Sequence, residues 1–143
     1  MPDGIGLDYS LHECGTIQSD SIALERILLN LIQNAVHAMN EKGRLEIRLR
    51  PAGQHDPLPK YNPPGKGKRW IELIVADNGK GMDKQTKERI FDPFFTTKKV
   101  GTGSGLGLTI VHSLVEQANG IIRVASAPQK GTSFHIYFPS RIK

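Results

Sequence analysis

Trp70-Ile71-Glu72-Leu73-Ile74-Val75-Ala76-Asp77-Asn78-Gly79-Lys80-Gly81-Met82 is the stretch on which the fold turns. Trp70 to Ala76 reads as a buried strand that ends at Asp77-Asn78-Gly79. An aspartate leaving a strand end points its carboxylate into the space above the sheet. Gly79 and Gly81 permit positive φ and a close approach of backbone to a flat ligand. A carboxylate only accepts hydrogen bonds, so Asp77 suits an exocyclic amino group such as adenine N6 and repels phosphate. Taken alone, the same residues also read as an ordinary Asn-Gly turn.

Working outward, Arg44 to Arg50 alternates strictly between polar and apolar residues, as a strand with one wet face does. Residues 51 to 69 hold five prolines and three glycines, through which no ladder can run, and are expected to form a long Pro-rich loop insertion. Upstream, Ile22 to Met39 has helical periodicity, with Leu24, Ile27, Leu28, Leu31, Ala35 and Ala38 on one arc and Gly43 as its stop. Residues 5 to 11 alternate as a strand. Downstream come a short helix from Asp83 to Arg89 with Asp83 as N-cap, an irregular stretch over 91 to 103 and a helix from Gly105 to Gln117. Two strands follow, Ile121 to Ala125 and Thr132 to Phe138, joined by the turn Pro128-Gln129-Lys130-Gly131. This order predicts a single α/β domain over 1–143, a two-layer sandwich with a mixed β-sheet and helices packed on one face.

Composition narrows the class. The 143 residues are 38% hydrophobic and 23% charged, which excludes wholesale disorder. No apolar run reaches 18 residues, and the start Met1-Pro2-Asp3-Gly4 lacks the basic and apolar regions of a signal peptide. A single cysteine, Cys14, forms no internal disulfide, and a cytoplasmic setting is expected. The net charge of +5 is concentrated in residues 42 to 69, where eight basic residues face two acidic ones. Without aromatics interleaved on a common face, that stretch reads as a solvated strand face and loop, and no nucleic acid is expected as a partner.

Two further features carry chemistry. On the first helix, with Asn30 set at zero, Asn34 falls at about 40° and His37 at about −20°, along the edge of the buried arc. Amides are poor helix formers and costly to desolvate, so this stripe is a candidate site wall. Gly101-Thr102-Gly103-Ser104-Gly105-Leu106-Gly107-Leu108 alternates four glycines directly before an amphipathic helix. Free N–H groups at a helix start bind anions, and glycines let the backbone wrap a polyphosphate. No Gly-Lys-Ser/Thr follows, so it is not a Walker A loop, and no strand feeds it, so it is not a dinucleotide fingerprint.

Taken in order, these segments resemble the catalytic and ATP-binding domain of sensor histidine kinases, within the GHKL or Bergerat-fold ATPase superfamily, over residues 5 to 139. The matching boxes are Asn30-Leu31-Ile32-Gln33-Asn34-Ala35, Asp77-Asn78-Gly79-Lys80-Gly81-Met82, Ile90-Phe91-Asp92-Pro93-Phe94-Phe95-Thr96-Thr97-Lys98 and Gly103-Ser104-Gly105-Leu106-Gly107-Leu108, with the closing Gly131-Thr132-Ser133-Phe134. The resemblance implies ATP and Mg²⁺ as cofactors. Asn34 would hold the metal through its amide oxygen, supported by Asn30 one turn earlier. Asp77 would select adenine, with Ala38, Gly79, Gly81, Met82 and Thr132 around the base. Gly103, Ser104, Gly105, Leu106 and Gly107 would cap the phosphates, and residues 92 to 103 would form the ATP lid, anchored by Phe91, Phe94 and Phe95.

The chain departs from the family pattern at three places. His37 stands where many members carry Lys or Arg toward the phosphates. Phe95-Thr96 stand where many have Tyr-Arg, and Lys98 is expected to supply the missing cation. Asn30 stands where the ATP-hydrolysing branch has a water-activating Glu, so the site is expected to hold ATP for transfer rather than hydrolyse it. The resemblance implies γ-phosphoryl transfer to a histidine on a separate dimerisation domain of the same kinase, with a response regulator downstream. The isolated chain is expected to be inactive as a kinase, and any membrane attachment would come through parent domains. The alternatives are an anti-sigma type serine kinase of the same superfamily and a non-catalytic ATP-binding interaction module.

Overall fold

The computed structural model describes residues 4–11, 16–17, 21–39, 42–51, 70–92 and 107–141. The Pro-rich stretch 52–69, most of the expected lid (93–103), Lys98 and the glycine-rich residues 103–106 lie outside the described residues.

The chain runs β1 (Ile5–Leu11), β2 (Thr16–Ile17), α1 (Ser21–Met39), β3 (Gly43–Pro51), β4 (Trp70–Asp77), α2 (Lys84–Arg89), α3 (Gly107–Gln117), β5 (Ile121–Ser126) and β6 (Thr132–Arg141). Every expected element is present, and the two-residue β2 is an addition. The sheet is mixed: β1 lies parallel to β3, while β3–β4, β4–β6, β5–β6 and β2–β6 are antiparallel. β6 is therefore interior, with β4 on one side and β5 on the other.

The helices cover one face. Ile27, Leu31, Ala35 and Met39 recur every four residues on α1 and are buried, as the periodicity predicts. They pack with Val111, Val115 and Ala118 from α3 and its end, and with Leu45, Leu73, Val75, Phe134, Ile136 and Phe138 from the sheet. Local signals explain the element ends. Asp83 accepts from Thr86 N at 2.7 Å and caps α2, and that bond holds its carboxyl below the ordinary range. Beyond α3, Asn119 takes φ 58° while the Gly120 N–H returns to Val115 O at 2.9 Å, a left-handed helix stop.

The alternate residues of β4 build a second buried layer. Trp70, Glu72 and Ile74 are buried with Tyr137. Glu72 is 2% exposed and accepts from Arg50 Nε at 2.8 Å and from His135 Nδ1 at 3.1 Å. His135 Nε2 in turn meets Ser133 Oγ at 2.7 Å. This Ser–His–Glu line has the connectivity of a hydrolytic triad, but Ser133 sits mid-strand between Ala76 and Ala125, where both ladders use the backbone N–H groups an oxyanion would need. Its role is structural. Burial would raise the Glu72 carboxyl, but hydrogen bonds from His135, Tyr137 and Arg50 and the Arg50 charge outweigh it and hold the group below its ordinary 4.5. A depressed acid stabilises the fold above its unfolded value and loses that contribution as pH falls through the folded value. Glu72→Gln is therefore expected to cost about 2–4 kcal/mol at pH 7, with the gap from wild type closing below pH 4.5. Urea denaturation across pH checks this.

Candidate functional site

Asp77 ends β4 on the helix-covered face and is 9% exposed. Opposite it in the ladder stands Thr132, also buried. Desolvation raises the Asp77 carboxyl above its ordinary 3.8, and backbone N–H groups of Gly79 and Thr132 offset part of that rise, the first donating at 2.8 Å. A buried carboxylate with lone pairs left over is chemically ready for a ligand donor.

The loop after Asp77 is fastened on two sides. Toward α1, Lys80 N donates to Ala38 O at 3.1 Å, and a Cβ on Gly79 would lie 2.6 Å from that same oxygen. Toward the β5–β6 turn, Gln129 N donates to Lys80 O at 2.7 Å and Met82 N to Ser126 Oγ at 2.9 Å. Gly81 takes φ 67°, and a Cβ there would run into the Ala127 carbonyl. Asn78 Oδ1 accepts from Arg44 N at 2.8 Å, tying the loop to β3 as well. The expected neighbours Ala38, Asp77, Gly79, Gly81, Met82 and Thr132 are thus brought together.

The polar stripe runs from this corner along α1. Asn30 and Asn34 are half-buried and His37 is exposed, as an edge position requires. Asn30 Nδ2 donates to Arg26 O at 2.8 Å, which leaves its oxygen outward, 3.2 Å from a Cβ built on Gly107. Gly107 opens α3, so the middle of α1 meets the start of the helix that follows the glycine-rich segment. Ala38 to Asn30 spans roughly 12 Å of helix, with Asn34 between them. Behind this junction, Thr109 Oγ1 donates to Phe91 O at 3.1 Å and the Phe91 and His112 rings lie 5.2 Å apart, which ties Phe91 to α3. Phe94, Phe95, Lys98, Gly103, Ser104, Gly105 and Leu106 lie outside the described residues. Sequence reasoning missed Ser126, whose hydroxyl contacts Met82 N, Gly131 O and Thr132 Oγ1 at 2.9 Å each. A serine ending a strand directly before a turn is the available signal, but its partners depend on register.

Among the described residues no cluster of acidic, histidine or cysteine side chains could hold a metal by itself, and no helix is long and apolar enough to cross a membrane. A hard cation here would need oxygen donors from a ligand in addition to an amide such as Asn34.

The family described as histidine kinase-, DNA gyrase B-, and HSP90-like ATPase matches residues 19–142. The sensor histidine kinase ZraS of Klebsiella oxytoca is 41% identical over 123 residues, covering 86% of this chain and 23% of that protein. Among solved structures, the mycobacterial sensor histidine kinase MprB superposes with a TM-score of 0.72 at 30% identity, covering 99% of this chain and 86% of that one. Full-length ShkA in complex with AMPPNP gives 0.73 at 26% identity, covering 98% of this chain and 27% of that one. The chain spans about a quarter or less of the curated relatives it matches. With the match covering most of its length, the chain belongs to the histidine kinase-, DNA gyrase B- and HSP90-like ATPase family, as an ATP-binding catalytic domain of the sensor histidine kinase type.

Proposed function

We propose that this domain holds Mg²⁺-ATP along α1 and donates its γ-phosphoryl group to a histidine on a separate dimerisation domain of the same kinase, from which a response regulator is charged. The alignment of Asp77, Asn34 and Asn30 between the adenine-facing strand end and the start of α3 carries this reading. Asp77 accepts from the exocyclic amino group, and Gly79, Gly81 and Met82 face the base. Asn34 offers an amide oxygen to Mg²⁺, which when bound neutralises phosphate charge; hard-oxygen chemistry suits that donor. Asn30 turns its own oxygen toward Gly107 and its nitrogen into the helix, so it supports the neighbouring turn. An amide at this place accepts no proton from water, which favours storage of ATP over hydrolysis. Glycines 103, 105 and 107 supply backbone N–H groups to the phosphates, and Lys98 supplies a cation for the departing charge.

The decisive test mixes this chain with the histidine-bearing domain of its parent and γ-labelled ATP. Acid-labile phosphohistidine on that domain supports the proposal, whereas acid-stable phosphoserine on a partner would replace it with the serine-kinase reading. A second expectation concerns the metal. Asn34→Ala should lower ATP affinity in Mg²⁺ tenfold or more, to the value wild type shows in EDTA, because one metal-bound oxygen is lost. Isothermal titration calorimetry reads both numbers.

A further inference from the structure

The Ser126 hydroxyl has three partners and only one proton. Gly131 O can only accept, at 2.9 Å, so it takes that proton. The Met82 N–H can only donate, so it takes one lone pair of Ser126 Oγ at 2.9 Å. Thr132 Oγ1, also at 2.9 Å, is left with the remaining lone pair and must donate to it. The Thr132 hydroxyl proton is thereby committed to Ser126, and its oxygen is left with acceptor capacity alone. Thr132 stands directly opposite Asp77 across the β4–β6 ladder, so the two side chains lie on one face. Asp77 as a carboxylate is an acceptor too.

We propose that Ser126 is a positioning residue for nucleotide specificity: it fixes the hydrogen-bond polarity of Thr132, so that Asp77 and Thr132 together offer only acceptors to the two amino hydrogens at purine position 6, where a 6-carbonyl would meet them acceptor to acceptor. This rests on the adenine reading of Asp77 given above. The energetic logic is that a site built to accept from a ligand N–H leaves buried lone pairs unmatched when the ligand brings another acceptor. If Ser126 loses its hydroxyl, Thr132 is free to rotate its O–H outward and donate to a carbonyl.

The test compares ATP with inosine triphosphate, which carries a carbonyl where adenine carries its amino group. Dissociation constants are measured by calorimetry for wild type, Ser126→Ala, Ser126→Cys and Ser126→Thr. The preference for ATP over inosine triphosphate is expected to fall about tenfold in Ser126→Ala. It should fall also in Ser126→Cys, whose thiol is a weak partner of similar size, and return in Ser126→Thr. A merely structural role for Ser126 would weaken both nucleotides alike and leave the ratio unmoved. An unchanged ratio in Ser126→Ala, or in Ser126→Cys should the alanine variant not fold, overturns the assignment while leaving the adenine reading intact. Equal binding of the two nucleotides by wild type overturns both.

Discussion

Asp77→Asn is expected to weaken ATP binding by about two orders of magnitude while leaving the nucleotide-free protein at least as stable as wild type. The binding loss follows from chemistry at one atom: a charge-assisted acceptor disappears, and the amide can turn a donor toward the ligand's own amino group. The stability expectation follows from burial. Desolvation holds the Asp77 carboxyl above its ordinary 3.8, so the charged form is disfavoured in the folded state relative to the unfolded one. An acid whose folded value is raised costs stability above that value and sheds the cost as pH falls through it. A neutral amide removes the cost at pH 7. Thermal melts with and without Mg²⁺-ATP check both halves. Wild type should show a ligand-dependent rise in Tm that Asp77→Asn lacks, with an apo Tm no lower than wild type's. A variant that melts early, or one that still binds ATP at wild-type strength, contradicts the role given to the carboxylate. The same titration makes wild-type ATP affinity decline on acidification from a pH above 3.8, the same direction in which the contribution of Glu72 to stability is lost.

Gly81→Ala is expected to be the most damaging small substitution in the site. Its φ of 67° is left-handed, and the added Cβ would meet the backbone carbonyl of Ala127, which cannot swing aside as a side-chain end could. The loop would have to detach from the β5–β6 turn, breaking the Gln129 N to Lys80 O and Met82 N to Ser126 Oγ bonds. A loss of about 2–4 kcal/mol, or a Tm about 10 °C lower, should appear in thermal unfolding, and ATP binding should fall with it. Lys80→Ala, one residue away and exposed, should stay within about 0.5 kcal/mol of wild type, because its backbone bonds survive the change. Equal behaviour of the two variants would mean that the loop does not depend on this conformation.

The two variants mark what was legible in the sequence and what was not. The α1 arc, the β4 strand with its terminal Asp77, the Asp83 cap and the glycines of the loop are local signals, and each appears where its pattern puts it. Pairing is not local. Nothing in Ile5–Leu11 announces that it lies parallel to β3, and two residues at Thr16–Ile17 are too few to show a period. Trp70 to Ala76 read as a plain buried strand, yet Glu72 within it is satisfied by Arg50 and His135, 22 and 63 positions away. Ser126 was invisible for the same reason: its meaning lies in facing Thr132 across a turn and Met82 across 44 residues. The N-helix, strand-end and closing segments of the site were readable as motifs, and their convergence on α1 is a property of the sheet order.

The interior place of β6 has a consequence for the order of events in a cell. A ribosome delivers a chain N-terminal end first, so β4 emerges with one long side bare, and the strand that covers it arrives some sixty residues later. Thr132, half of the proposed purine-facing wall, comes on that strand. A nascent chain that has not yet released β6 has no complete nucleotide pocket, so ATP can capture only molecules whose synthesis has passed this point.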